Sequence, residues 1–155
     1  MSYAGFWKRF VAYVIDSILL VTIQFVILAP MLAVVGLGMF AHGLSDEFDP
    51  SVALIFAIVS AYLGIIFLSI FLQWLYFSLM ESSSRGATIG KMVMGIRVTD
   101  MQGNRISFGR ATGRYFGKIL SSLVLMIGYI MAGFTERKQA LHDLLANTLV
   151  INQRM

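Results

Sequence analysis

The sequence predicts an all-α membrane protein with two to three transmembrane helices and a cytoplasmic basic segment that contains a short β-hairpin. Three observations predict it. Of the 155 residues, 58% are apolar and only 13% are charged, whereas a soluble domain usually carries about a quarter charged residues. A chain this short has no single core large enough to hide that much apolar surface, so lipid is the solvent that accepts it. The apolar residues also gather in long runs, and the charges between the runs are sorted by sign. Residues 1–155 read as one membrane domain.

The first hydrophobic segment covers about residues 10–40, with Asp16, Thr22 and Gln24 as its strongly polar positions. At 1.5 Å per residue, about 20 residues span the hydrocarbon core, so this run is more than sufficient. It is far longer than the apolar region of a signal peptide and reads as a retained signal-anchor helix. Pro30 is a candidate kink, which neighbouring helices can accommodate. The stretch His42–Asp49 has three acids and no Lys or Arg, and Pro50 suits the first turn of the next helix. The second segment, 52–80, is again long enough to cross.

Between Glu81 and Lys118 the chain carries seven Lys/Arg against Glu81 and Asp100. The positive-inside rule therefore puts the loop 81–114 and the N-terminus in the cytoplasm, with the acidic first loop outside. Gly95–Asp100 and Arg105–Phe108 flank Met-Gln-Gly-Asn, a hairpin pattern. Arg110, Arg114 and Lys118 recur every four residues, a basic stripe on a helix leading into the third segment. That segment, 115–134, is marginal in length and broken by Gly128 and Gly133. As a full span it leaves the tail outside; as a re-entrant segment it leaves the tail inside, where Arg137 and Lys138 fit better. Thr148–Ile151 has strand character and suits a partner for Gly95–Asp100.

Among individual residues, Asp16 stands out. A carboxylate near the middle of a span costs on the order of 2.5–3.5 kcal/mol, so it should face protein or water. Arg9, Tyr13, Asp16, Leu20 and Gln24 share a helical face, which makes Arg9 the natural partner that orients or neutralises Asp16. Asp16 is then either a structural ion-pair member or a carrier of an exchangeable proton or cation. In the second segment Ser69, Gln73 and Tyr76 share a face with Tyr62, either as interhelical hydrogen-bonding groups or as the lining of a polar path. Lys91, Arg97 and Arg114 form a cytoplasmic basic cluster suited to anionic lipid headgroups.

Other chemistries lack a motif. There is no Cys, which excludes disulfides and thiol catalysis. Gly86-Ala-Thr-Ile-Gly-Lys91 resembles a phosphate loop only faintly, since one intervening residue and the hydroxyl after the Lys are missing. His42 and His142 are too isolated for a metal site. The reading is a non-enzymatic protein with no cofactor, no metal and no nucleic-acid partner.

Arg9 with Ala12 and Asp16, then Gly86-Ala-Thr-Ile-Gly-Lys-Met-Val-Met-Gly-Ile-Arg-Val98, Arg114 and Leu141-His-Asp-Leu-Leu-Ala-Asn-Thr-Leu-Val-Ile151 resemble the RDD family, small bacterial membrane proteins named for one Arg and two Asp. Matched in order, these are Arg9, Asp16 and Asp143. Asn147 departs from the Gly that many members carry there. The resemblance implies a transport-like role, with cation–proton exchange as the usual suggestion, and it adds Asp143 to the candidate ion site. Placed on the cytoplasmic surface, Asp143 should lie near Arg9, Arg97 or Arg114. The combined expectation is a multi-pass protein of the bacterial inner membrane. It handles a proton or cation, and it is homo-oligomeric because so few helices enclose little space. The rival expectation is a non-transporting scaffold or lipid-binding subunit.

Overall fold

A computed structural model describes residues 2–42, 50–123 and 127–153. In order, the elements are α1 (Phe6–His42), α2 (Pro50–Glu81), α3 (Ile89–Val93), β1 (Ile96–Asp100), α4 (Phe108–Leu123), α5 (Ile127–Phe134), α6 (Leu141–Leu145) and β2 (Thr148–Asn152). The acidic residues 46, 47 and 49 of the first loop lie outside the described residues. Two compact units result, one from Met1–Ile18 with Trp74–Met155, the other from Leu19–Gln73.

The Leu19–Gln73 unit consists of the apolar lengths of α1 and α2. Both helices are long and apolar enough to cross a membrane, and almost none of their apolar windows is buried. A helix that is hydrophobic all round belongs inside a large core or in lipid. Phe25, Val34, Phe56 and Phe67 are all largely exposed, so lipid is the environment these faces fit. The helix continues through Pro30. Gln24 Nε2 donates to the Ser69 carbonyl at 3.4 Å, a polar link between the two helices within this unit.

The other unit is a small α/β assembly. β1 and β2 pair antiparallel, with Ile96 opposite Asn152, Val98 opposite Val150 and Asp100 opposite Thr148. The chain start lies on the far side of β2: Tyr3 bridges to Ile151, and Ala4 N donates to the Val150 carbonyl at 2.9 Å. Ala4, Ala12, Ile96, Val98, Ile106, Ala111 and Val150 form the core, with Met94 against it.

The expected partnership of Thr148–Ile151 with Gly95–Asp100 is present as β2 on β1, whereas the expected arm Arg105–Phe108 is not a strand. A tight turn does follow β1, since Asp100 Oδ1 accepts from Gln102 N at 2.9 Å and Asn104 N at 2.7 Å. Ser107 Oγ then accepts from Arg110 N at 3.3 Å, as a helix N-cap does, and the chain enters α4 at Phe108. The segment 115–134 is likewise not one spanning helix. It is shared between α4 and α5, and Tyr129 Oη donates to the Lys118 carbonyl at 3.1 Å. Eleven residues of straight helix would separate those positions by roughly 16 Å, so the chain has doubled back.

Candidate functional site

Asp16 sits on the first turns of α1 and is 1% exposed. Tyr76 Oη donates to its Oδ1 at 2.8 Å, Thr88 Oγ1 to Oδ2 at 2.5 Å and Gly90 N to Oδ1 at 2.7 Å. Thr88 also caps α3 by accepting from Lys91 N. The Gly86–Lys91 turn that faintly resembled a phosphate loop therefore wraps an internal carboxylate. Gly90 has to be glycine: an added Cβ would lie 2.1 Å from the Ala12 carbonyl and 2.9 Å from Asp16 Cγ.

The expected pairing of Arg9 with Asp16 is not made. Seven helical positions separate them by about 10 Å along the axis, and nearer groups take the guanidinium. Arg9 Nη1 donates to Asp143 Oδ2, Nη2 to the Lys138 carbonyl at 2.5 Å, and Nε to the Ala4 carbonyl at 3.1 Å.

Asp143 lies between two arginines, for Arg114 Nη2 donates to its Oδ1 at 2.5 Å. The other arm of Arg114 reaches Glu81 Oε2 at 2.9 Å. Glu81 also receives Lys91 Nζ and, at 3.3 Å, Lys118 Nζ, while Lys118 stands 4.1 Å over the Phe77 ring. Arg114, Glu81 and Asp143 are at most 1% exposed. This is one network of two carboxylates (Glu81, Asp143) and four cations (Arg9, Lys91, Arg114, Lys118). Each buried charge costs several kcal/mol of lost hydration, which mutual pairing offsets.

The local sequence explains why these residues meet. α4 is amphipathic, and its buried face carries Ala111, Arg114 and Tyr115, which points the guanidinium inward. Asp143 Oδ2 also accepts from Ala140 N at 3.1 Å, reaching back over the first turn of α6. Asn147, where many family members carry Gly, has φ +50. Asn tolerates that left-handed geometry better than most residues, so the turn into β2 is kept. Gly117 lets α6 approach α4, because a Cβ there would lie 3.0 Å from His142 Cβ.

Burial sets the protonation states here. Alone it would raise the Asp143 carboxyl, but Arg114 and Arg9 outweigh it and hold that group below the usual carboxylate range. Burial lowers His142 to about 3, so the imidazole is neutral at pH 7. Burial also draws Lys91 down to about 7 against the opposing pull of Glu81. Three cations share the single charge of Glu81, and a lysine is the one that can shed a proton.

Of the other predicted residues, Tyr76 holds Asp16. Ser69 and Gln73 belong to the Leu19–Gln73 unit, where the Ser69 carbonyl accepts from Gln24. Arg97 faces outward on β1 opposite Ile151, whereas Lys91 and Arg114 are buried in the network and not free for headgroups. Glu81 was not proposed as a site residue from the sequence; Lys118 entered only through the basic stripe, and Thr88 and Gly90 only within the Gly86–Lys91 motif. Glu81 had one signal: it is an acid closing an apolar segment ahead of seven bases.

The profile described as the RDD family matches residues 3–147, which include Arg9, Asp16 and Asp143. The chain is 36% identical over 151 residues to "Uncharacterized protein YxaI" of Bacillus subtilis (strain 168), covering 96% of both chains. It is 30% identical over 164 residues to "Uncharacterized membrane protein YteJ" of the same strain, covering 99% of this chain and 84% of that one. No solved structure matches.

Proposed function

The chain belongs to the RDD family, and from that premise we propose that it is a non-transporting, lipid-associated subunit of a bacterial cytoplasmic membrane. Its two spans anchor a compact module on the cytoplasmic face. The observation that carries this reading is the separation of charge from span. Helical residues 19–42 and 50–73 contain no Asp, Glu, Lys or Arg, and Arg9, Asp16, Glu81, Lys91, Arg114, Lys118 and Asp143 all belong to the other unit. About 22 residues from Leu19 onward already cover the roughly 30 Å hydrocarbon core. Asp16 then stands at its edge under a cover of protein, and its two oxygens are taken by three donors.

Parity supports the same topology. The chain start, β1 and β2 are hydrogen-bonded to one another and so share one side of the membrane. α1 leaves that side and α2 returns, while α4 and α5 add no net crossing. All twelve Lys and Arg fall on that side, while the 43–49 loop has three acids and no Lys or Arg, and this asymmetry favours the cytoplasm for it. On the Cys-free background, Glu47→Cys should react with an impermeant thiol reagent in intact cells and Arg97→Cys should not. The reverse pattern overturns the orientation.

A second reading has one observation in its favour. The Lys91–Glu81 pair is buried and Lys91 is poised to exchange a proton near neutral pH, which suits proton-for-cation exchange along a path between copies of the chain. Proteoliposomes containing this protein alone decide between the two. No cation-driven proton flux above empty vesicles is expected. Flux that disappears in Lys91→Met would replace the first reading with the second.

A further inference from the structure

An open groove of about 870 Å³ lies within the charged unit, lined by the chain start, the N-terminal turn of α1, α5, Lys138 and Asn152. Its volume falls in the range of small-molecule sites, ~300–1,000 Å³. One part of its lining is apolar and wet: Trp7 is 73% exposed and Phe134 87%, with Phe6 and Ile130 beside them. The remainder is cationic, since Lys8 and Lys138 line it and no carboxylate does among the described residues.

The two lysines are held in place. Lys8 Nζ donates to Asn152 Oδ1 at 2.9 Å, and Asn152 in turn donates to Ser2 Oγ at 2.9 Å. Lys138 has φ +50, a conformation that non-glycine residues rarely adopt. Its carbonyl is fixed by Arg9 Nη2. Its ammonium lies close over the Gly5 backbone, where a Cβ would come within 3.8 Å of Nζ. Neither ammonium forms an ion pair among the described residues. Arg9 thus joins the buried network to this surface: one nitrogen holds Asp143 and the other holds the backbone that presents Lys138.

We propose that this groove binds one anionic phospholipid of the cytoplasmic leaflet, its phosphate between Lys8 and Lys138 and an acyl chain along Phe6, Trp7, Ile130 and Phe134. Two positive groups without a negative one fit a phosphate-bearing head. Aromatic side chains at the first turns of a spanning helix are those that settle at headgroup level. The groove is amphiphilic, so a free phosphate would leave its apolar lining wet. This inference deepens the lipid-associated reading and does not depend on the absence of proton flux, so the two fail separately.

Trp7 supplies the readout in a Trp74→Phe background, which leaves it as the one tryptophan of the chain. The full chain in neutral detergent is titrated with phosphatidylglycerol or phosphatidylcholine carrying brominated acyl chains, which quench tryptophan on contact. Phosphatidylglycerol should quench at roughly tenfold lower mole fraction. Lys8→Gln with Lys138→Gln should erase that preference while retaining the elution profile and far-UV dichroism, because both side chains are exposed. Gly133→Phe adds bulk where nothing lies within 4 Å of a Cβ; it should weaken quenching by both lipids without touching charge or adding a fluorophore. Arg110→Gln, a cation outside the groove, should change nothing. Equal quenching by the two lipids overturns the proposal. So does a preference that survives the double substitution, equal loss in Arg110→Gln, or displacement of phosphatidylglycerol by millimolar inorganic phosphate.

Discussion

α1 passes through two regimes within a single helix. Over Phe6–Ile18 it carries Lys8, Arg9 and Asp16, each with a hydrogen-bonding partner in the same compact unit. Over Leu19–His42 its polar residues shrink to Thr22, Gln24 and His42, and among the described side chains Val21, Phe25, Val34 and Leu37 face outward. The backbone is the same α-helix throughout, so the difference lies in what surrounds it. Where protein packs around the helix, ionisable groups are retained because partners satisfy them. Where lipid is the surrounding medium, an unpaired charge is too costly to keep. Arg9 and Asp16, though on one stripe, therefore look to distant residues and not to each other.

The largest effect that sharpens this contrast is expected at Arg114. Arg114→Met removes the group that touches both Glu81 and Asp143 and leaves two buried carboxylates short of a partner. Breaking a buried network in this way costs about 3–5 kcal/mol. Thermal unfolding in detergent should show the charged unit melting far earlier; an unchanged midpoint would mean that the unit does not rely on its charges.

Two glycines give a direct comparison between the regions. Gly90→Ala forces a methyl against the Ala12 carbonyl, and overpacking of this kind costs typically 1–3 kcal/mol. Gly64→Ala, in α2, meets nothing within 4 Å and should be neutral or gain up to about 1 kcal/mol from helix propensity. Equal effects of the two changes would erase the distinction between protein-packed and lipid-facing regions.

Acid should separate the regions more gradually. His142 is near 3 in the folded chain against 6.5 as its ordinary value, so between those limits the unfolded chain binds more protons. Stability then falls as pH drops from about 6.5 towards 3, by up to about 1.4 kcal/mol per pH unit from this group. His142→Gln should flatten that slope in denaturant titrations at stepped pH. A slope that persists in the variant would assign the acid sensitivity elsewhere.

The long helices were legible because a lipid-facing helix must be apolar at nearly every position, a signal repeated over some twenty residues. The strand character of Thr148–Ile151 was legible too, as a β-branched run. Its pairing with Gly95–Asp100 was legible as well; what misled was the local turn at Met101–Asn104, which favoured Arg105–Phe108 as a further arm, while Ser107, a single capping residue, sends the chain into α4. The Arg9–Asp143 contact spans 134 positions, and no helical periodicity reaches that far. Asp143 emerged from its resemblance to a motif, with the surrounding bases pointing to its neighbourhood. Glu81 escaped because an acid at a membrane boundary is ordinarily solvated, and nothing in its local sequence reveals that three cations converge on it.

The pairing of the chain start with β2 also has a consequence in time. Ser2 and Ala4 wait for residues 150 and 152, and Arg9 waits for Asp143. Synthesis proceeds at about 5–20 residues per second, so Arg9 exists for on the order of ten seconds before its carboxylate is made. During that interval α1 and α2 can already enter the bilayer. Arg9 and the basic residues that follow α2 then stand at its surface before Asp143 exists, a window in which anionic headgroups can serve as their counter-charges.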